Sequence, residues 1–225
     1  MHAFEVLVGL LSKSKCVTLT QINKYMSEHL PIMESFLTIQ GEGFHTGKPA
    51  FFIRTGGCDV GCVWCDVKES WDAESHPNKS VDSLQSLALE NKSEWVVLTG
   101  GEPAMYDLSP LVSKLKNINR SVAIETSGCY TLSAKVDWYT FSPKKFKKPC
   151  AEAYEKADEL KVVIFHKSDF KWALEHSEKV GPNCLLYIQP EWSKKEQLME
   201  SIVDFVKRNE GWRISLQTHK FMNIP

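Results

Sequence analysis

AFFIRTGGCDVGCVWCD, Ala50 to Asp66, joins an apolar run to a loop that carries three cysteines. The run has the composition of a buried strand, and its paired glycines mark where the strand ends. Cys58, Cys62 and Cys65 then stand in a C-x3-C-x2-C spacing. Three thiolates on one tight loop can hold three irons of a cubane [4Fe–4S] cluster, which takes four cysteines when fully ligated. The next cysteine is Cys129, more than sixty residues on. One iron is thereby left open to a ligand that is not protein. A structural zinc would close its fourth position, so the open one argues for reactivity. Two plainer readings remain at this point: a zinc site recruiting His45 or His76, and a chance cluster of core thiols.

Downstream, the β-branched run WVVL (Trp95 to Leu98) leads into TGGEP, Thr99 to Pro103. This reads as a second buried strand ending in a turn. Its glycines are expected to let backbone approach a ligand closely, which a Cβ would prevent. Glu102 offers an acceptor for an ammonium group.

The three-cysteine loop followed by GGE resembles the radical S-adenosylmethionine (SAM) superfamily, whose open iron chelates the amino and carboxylate groups of SAM. Further segments are more specific: FLTIQGEGFHTGKPAFFIR (Phe36 to Arg54), VAIETSG (Val122 to Gly128), FSPK (Phe141 to Lys144), ADELKVVI (Ala157 to Ile164), IQP (Ile188 to Pro190) and WRISLQTHKFMNIP (Trp212 to Pro225). Together they resemble the 7-carboxy-7-deazaguanine synthase (QueE) family from about Pro31 to the last residue. A glycyl-radical activase would share the cysteine loop and GGE but has no reason for QTHKFMNIP.

The resemblance implies a site. Cys58, Cys62 and Cys65 would hold the cluster. Trp64, Cys65, Asp66, Gly101, Glu102, Ser142, Pro143, Lys144 and the turn Gln189, Pro190, Glu191, Trp192 would contact SAM. The family's substrate is 6-carboxy-5,6,7,8-tetrahydropterin, contracted with loss of ammonia to 7-carboxy-7-deazaguanine in queuosine biosynthesis. Arg54 suits its carboxylate, because a planar guanidinium can bind bidentately. Ile39, Gln40, Gly41 and Glu42 suit the pterin edge, with Thr99, His219 and Pro225 closing the pocket. Many relatives place Thr or Ser after Cys-Asp as a Mg²⁺ ligand. Here Val67 stands there, and its side chain has no oxygen for a hard cation. The family also implies an electron donor such as flavodoxin, a homodimer and a cytoplasmic setting.

The chain is large enough for one domain with a substantial core: 225 residues carry 27 basic and 28 acidic side chains, for a net charge of −1. That balance supplies no bulk field for nucleic acid or an anionic membrane. No apolar stretch reaches the length of a membrane span. Cys16, Cys129, Cys150 and Cys184 follow no framework spacing and read as plain thiols. Residues 1–25 are expected to form an extension outside a core domain of residues 26–225; a short amphipathic helix packed on that domain is the alternative.

Seven strand candidates (AFFIRTG, EWVVLTG, SVAIETSG, WYTFSP, ELKVVIF, CLLYIQP, WRISLQT) alternate with helical patterns, the clearest of them Leu198, Ile202, Phe205 and Val206 on one face. Such alternation implies parallel βα units. Seven strands fall short of eight repeats, so the expected fold is an incomplete (β/α) barrel with its chemistry at the carboxyl ends of the strands. Asp72 to Lys79 reads as an ordinary loop, and KKFKK (Lys144 to Lys148) as a short exposed one.

Overall fold

The computed structural model describes residues 28–225, so the expectation for residues 1–25 falls outside the described residues. The chain runs through β1 (His29–Ile39), β2 (Pro49–Thr55), β3 (Asn78–Ser80), α1 (Val81–Glu90), β4 (Trp95–Gly100), α2 (Ser109–Asn117), β5 (Ser121–Thr126), β6 (Trp138–Phe141) and α3 (Ala151–Lys156). It continues with β7 (Glu159–Ile164), α4 (Asp169–Ser177), β8 (Leu185–Pro190), α5 (Lys195–Arg208), β9 (Trp212–Ile214) and α6 (Thr218–Met222). The strands form one sheet in the order β3-β1-β2-β4-β5-β6-β7-β8-β9. From β2 to β9 every neighbouring pair is parallel. The sheet does not close, as expected of an incomplete barrel.

All seven strand candidates are parallel strands. Two further strands extend the sheet beyond β2, because β1 pairs antiparallel with both β2 and β3. Part of the stretch read as an ordinary loop is therefore structured: Ala73–Ser75 is a 3-10 turn and Asn78–Ser80 is β3. The β5–β6 connection carries no helix.

Side chains alternate across each strand, and that period of two sorts the sheet into two faces. Leu160, Val162 and Ile164 of β7 join a large core with Phe51, Ile53, Leu98, Ile124, Phe141 and Ile188. Helices cover that face; α5 contributes Leu198, Ile202 and Phe205 to the same core, with Val206 packed at its margin. The alternate residues form the inner face. There Ala50, Val97 and Ala123 make a small apolar patch, while Glu125, Glu159, Lys161 and Gln189 bring polar groups inside. Burying charge demands partners, and the partners build the site.

Candidate active site

The inner face and the loops after β2, β4, β5, β6, β8 and β9 enclose a cavity of about 270 Å³. Cys58, Cys62 and Cys65 line it together, on the loop that follows β2. Backbone bonds fix that loop: Gly57 N donates to Ser70 O at 2.6 Å, Cys58 N to Trp71 O at 3.1 Å and Cys65 N to Cys62 O at 3.1 Å. The Tyr106 hydroxyl donates to Gly56 O at 2.8 Å from the far side. Cys62 is buried, and burial pushes its thiol up to about 11, with Lys144 pulling the other way. Such thiols bind metal as thiolates, so loading would release protons.

Three soft sulfur donors on one loop suit an iron–sulfur cluster. Among the described residues no three His, Cys, Asp or Glu side chains gather around a single point. A structural zinc takes four protein ligands, whereas a cubane held by three thiolates leaves one corner open. Neither histidine considered for zinc reaches the cysteines. His45 packs 4.4 Å from the Trp95 ring and 4.5 Å from that of Trp138, and His76 Nε2 lies 2.8 Å from Glu69 O.

The GGE turn lines the same cavity and is packed against the cysteine loop. A Cβ on Gly101 would come 2.2 Å from Gly57 O and 2.8 Å from the Cys58 Cβ. The absent side chain thus makes room for the cysteine loop itself. Glu102 N donates to Gly57 O at 2.9 Å, sealing the two segments together. Its carboxylate, 1% exposed, accepts from Thr126 Oγ1 at 2.5 Å, Ser127 N at 2.8 Å, Ala104 N at 3.1 Å and the Ser127 hydroxyl. Four protein donors meet an acceptor expected to serve an ammonium group, so Glu102 also ties β4 to β5.

Around this frame lie the other expected residues. Trp64 faces Lys144, whose Nζ is 5.6 Å from its ring centre and donates to Ser142 Oγ at 2.5 Å. Lys144 is therefore half-buried in the site, while Lys145 and Lys148 of the same run are exposed as expected. Gln189 Oε1 accepts from Ser215 at 2.7 Å, and the Glu191 carboxylate accepts from Ser193 N and Oγ at 3.1 and 2.5 Å. Pro143 and Pro190 do not line the cavity. Each directly follows a residue that does line it, Ser142 or Gln189.

On the opposite wall, Arg54 lies in register with Thr99 and with Glu34. Its Nε donates to Glu34 Oε1 at 2.6 Å, so the fork left for a carboxylate is its terminal pair of nitrogens. Ile39, Gln40, Gly41 and Glu42 line the same side. Glu42 accepts from Lys161 at 2.5 Å and Gln217 at 3.0 Å. Burial works to raise its carboxyl, but the Lys161 ammonium and those hydrogen bonds hold it down at about 2. Lys161, 2% exposed, also donates to Glu125 at 2.6 Å, and Glu125 accepts from Gln40 at 3.2 Å. Burial opposes the Lys161 charge, yet Glu125, Glu42 and Glu159 hold it firmly protonated. Thr126, Ser127, Glu125 and Lys161 were not foreseen; only the charged positions inside apolar β5 and β7 hinted at them.

The chain end meets this wall. The QTHK segment leaves the final strand early: β9 stops at Ile214 and Thr218–Met222 form α6. Thr218 N donates to Gly41 O at 2.9 Å. A Cβ on Gly41 would come 2.2 Å from His219 Nδ1, so the glycine admits the imidazole. The last six residues are not extended, since a helical turn occupies Lys220 to Met222. Pro225 nevertheless returns to the cavity, its carbonyl accepting from Thr38 Oγ1 at 3.1 Å.

Residues 52–165 match the family model of the radical SAM superfamily. A 7-carboxy-7-deazaguanine synthase from Flavobacterium psychrophilum is 53% identical over 208 residues, covering 91% of this chain and 97% of that protein. One from Synechocystis is 45% identical, covering 90% and 97%. The crystal structure of QueE from Escherichia coli superposes with a TM-score of 0.75 at 31% identity, covering 86% of this chain and 97% of that one. The chain belongs to the 7-carboxy-7-deazaguanine synthase family, within the radical SAM superfamily.

Proposed function

We propose that this chain converts 6-carboxy-5,6,7,8-tetrahydropterin to 7-carboxy-7-deazaguanine with loss of ammonia, a step toward queuosine. The observation that carries this reading is a single cavity lined by both the three cysteines and the Arg54–Glu42–Pro225 wall. Cys58, Cys62 and Cys65 would hold the cluster. Trp64, Asp66, Gly101, Ser142, Lys144 and the Gln189–Trp192 turn would seat SAM. When bound, the reduced cluster supplies the electron that cleaves the SAM sulfonium, and the protein's part is placement and shielding.

The residues of the chain divide that work. Arg54 receives the substrate carboxylate through its terminal nitrogens. Glu42, kept ionised by Lys161, offers an acceptor to the amino edge of the pterin, and Gln40 and the backbone of Ile39 and Gly41 flank it. Burial pushes the His219 imidazole toward its neutral form, against the pull of Glu42, so it closes the pocket as an uncharged ring. Pro225 closes the same side through its backbone or carboxylate. Closing out water strengthens each of these contacts.

The same reading brings a Mg²⁺ beside the substrate carboxylate, an electron donor such as flavodoxin, a homodimer, a cytoplasmic setting and a core domain of residues 26–225. Among the described residues no helix is long and apolar enough to cross a membrane. A glycyl-radical activase is not favoured, since the similar proteins carry the synthase name.

Equilibrium binding tests the substrate class without turnover. SAM-loaded, unreduced protein should bind the carboxypterin and should lose most of that affinity for the pterin lacking its carboxylate. Equal binding of the two would remove Arg54 from its role and the reading with it.

A further inference from the structure

Beneath the cavity floor lies a second space of about 10 Å³, lined among others by Gln40, Glu42, Glu125, His45, Thr140 and Glu159. Gln40, Glu42 and Glu125 line both spaces, so they form the partition between them. The volume is about that of one water. Both ring nitrogens of His45 are buried without a protein partner, which calls for a water there.

Glu159 is the acid the site has not used. It is 2% exposed, and its Oε2 accepts from Phe44 N at 3.0 Å. Thr140 stands between it and Glu125, in register with each across three neighbouring strands. Lys161, two residues along β7, already donates to Glu42 and Glu125. Three carboxylates therefore stand around one buried ammonium, which bonds Glu42 and Glu125 but not Glu159. A buried carboxylate without a cation in contact takes up a proton instead. Burial pushes the Glu159 carboxyl up to about 7, with Lys161 pulling down and Glu125 pushing up. The other titratable groups facing it are Glu42, His45 and Lys48 from the β1–β2 connection and Cys184 before β8. None of them places a second ammonium against it.

We propose that Glu159 stores the exchangeable proton of the cavity floor, trading it through one water in the small chamber with Glu125 above. This makes Glu159 a positioning residue, acting through Glu125. The proposal rests on the ring contraction. In that conversion the expelled nitrogen leaves two ring carbons, so two C–N and two C–H bonds break while a ring C–C bond and a C=C bond form, and the two hydrogens that leave carbon end on the departing ammonia. No net proton is consumed; the floor needs only a group that can accept a proton and return it.

Infrared titration of the full chain, without SAM or pterin, tests the store independently of the reaction. The carbonyl stretch of a protonated carboxyl should persist to near neutrality, titrate at about 7, and be missing from Glu159→Gln. The exposed Glu196→Gln control should keep it. With reconstituted enzyme, Glu159→Gln should lower kcat for the deazaguanine about 100-fold and leave KM for the pterin and pterin-free SAM cleavage unchanged. A wild-type carboxyl band already lost by about pH 5 overturns the store, even if the variant does not fold. So does a Gln variant with wild-type kcat. A band titrating near neutrality in a protein that never transforms the pterin leaves the store standing and removes the reaction.

Discussion

Lys220 Nζ lies 2.7 Å from Asp66 Oδ2, joining the last helix to the residue that follows the third cysteine. The same lysine sits 5.3 Å from the Trp192 ring centre, and Phe221 packs edge-on to that ring at 5.1 Å. Helix α6 thus touches the cysteine loop, the Gln189–Trp192 turn, Gly41 and, through Pro225, the start of the sheet. Lys220→Gln should therefore separate stability from function. The pair is partly exposed, at 22% and 57%, so unfolding should weaken by less than about 1 kcal/mol. KM should rise for both SAM and pterin. A change in only one KM would mean that α6 does not couple the two halves.

Cys58→Ala, Cys62→Ala and Cys65→Ala should each abolish SAM cleavage and lower the iron and sulfide content after anaerobic reconstitution. Cys129→Ala and Cys184→Ala should retain both. Cys129 Sγ lies 3.3 Å from Lys147 O, and burial pushes the Cys184 thiol up to about 12. Loss of the cluster in Cys129→Ala with retention in Cys62→Ala would overturn the ligand set.

Val67 lines the cavity, and its carbonyl already accepts from Ser70 N at 3.1 Å and Ser70 Oγ at 2.7 Å. With Asp66 held by Lys220, few protein oxygens remain for Mg²⁺ at this position. Product formation should need several-fold more Mg²⁺ here than in a relative with Thr, and Val67→Thr should reduce that need. A Mg²⁺ response that the substitution leaves untouched would show that the metal does not use this position.

How far the sequence could be read follows from which contacts are local. The cysteine loop and GGE were legible because ligands and turns come at short spacing. The seven parallel strands were legible because they carry apolar, β-branched runs such as Val122–Ile124 and Val162–Ile164. Strand β1 was not, since His29, Pro31, Glu34 and Ser35 interrupt any alternation and its partner β2 lies across a nine-residue connection. The floor was opaque for a similar reason. Lys161 meets Glu125 and Glu42 only once β7, β5 and the β1–β2 connection are brought together, at separations of 36 and 119 residues. Family likeness named Glu42 but could not say which cation kept it ionised.

Lys161→Met should cost about 3 to 5 kcal/mol, because it strands Glu42 and Glu125 against the inner face. Urea unfolding at neutral pH measures this; a loss under about 1 kcal/mol would mean that solvent reaches the floor carboxylates.

Stability should fall on acidification. His45 and His176 are both pushed down from 6.5 to about 4 by burial, with a nearby lysine adding to it, so each takes up a proton more readily once unfolded. Their contributions are lost between about pH 6.5 and 4. Glu42, held down at about 2, adds a further loss below about 4.5. Glu159, raised to about 7, acts oppositely, contributing fully below 4.5 and losing that contribution as pH rises through 7. Two histidines outweigh one glutamate between 6.5 and 4.5, so Tm should drop across that window. A Tm that rises there would contradict the burial assigned to the two rings.

The most direct test is turnover. Anaerobically reconstituted protein with SAM, a low-potential reductant and 6-carboxy-5,6,7,8-tetrahydropterin should yield 7-carboxy-7-deazaguanine and ammonia in equal amounts, measured by liquid chromatography with mass spectrometry and an ammonia assay. SAM cleavage with the pterin recovered unchanged would contradict the proposed function.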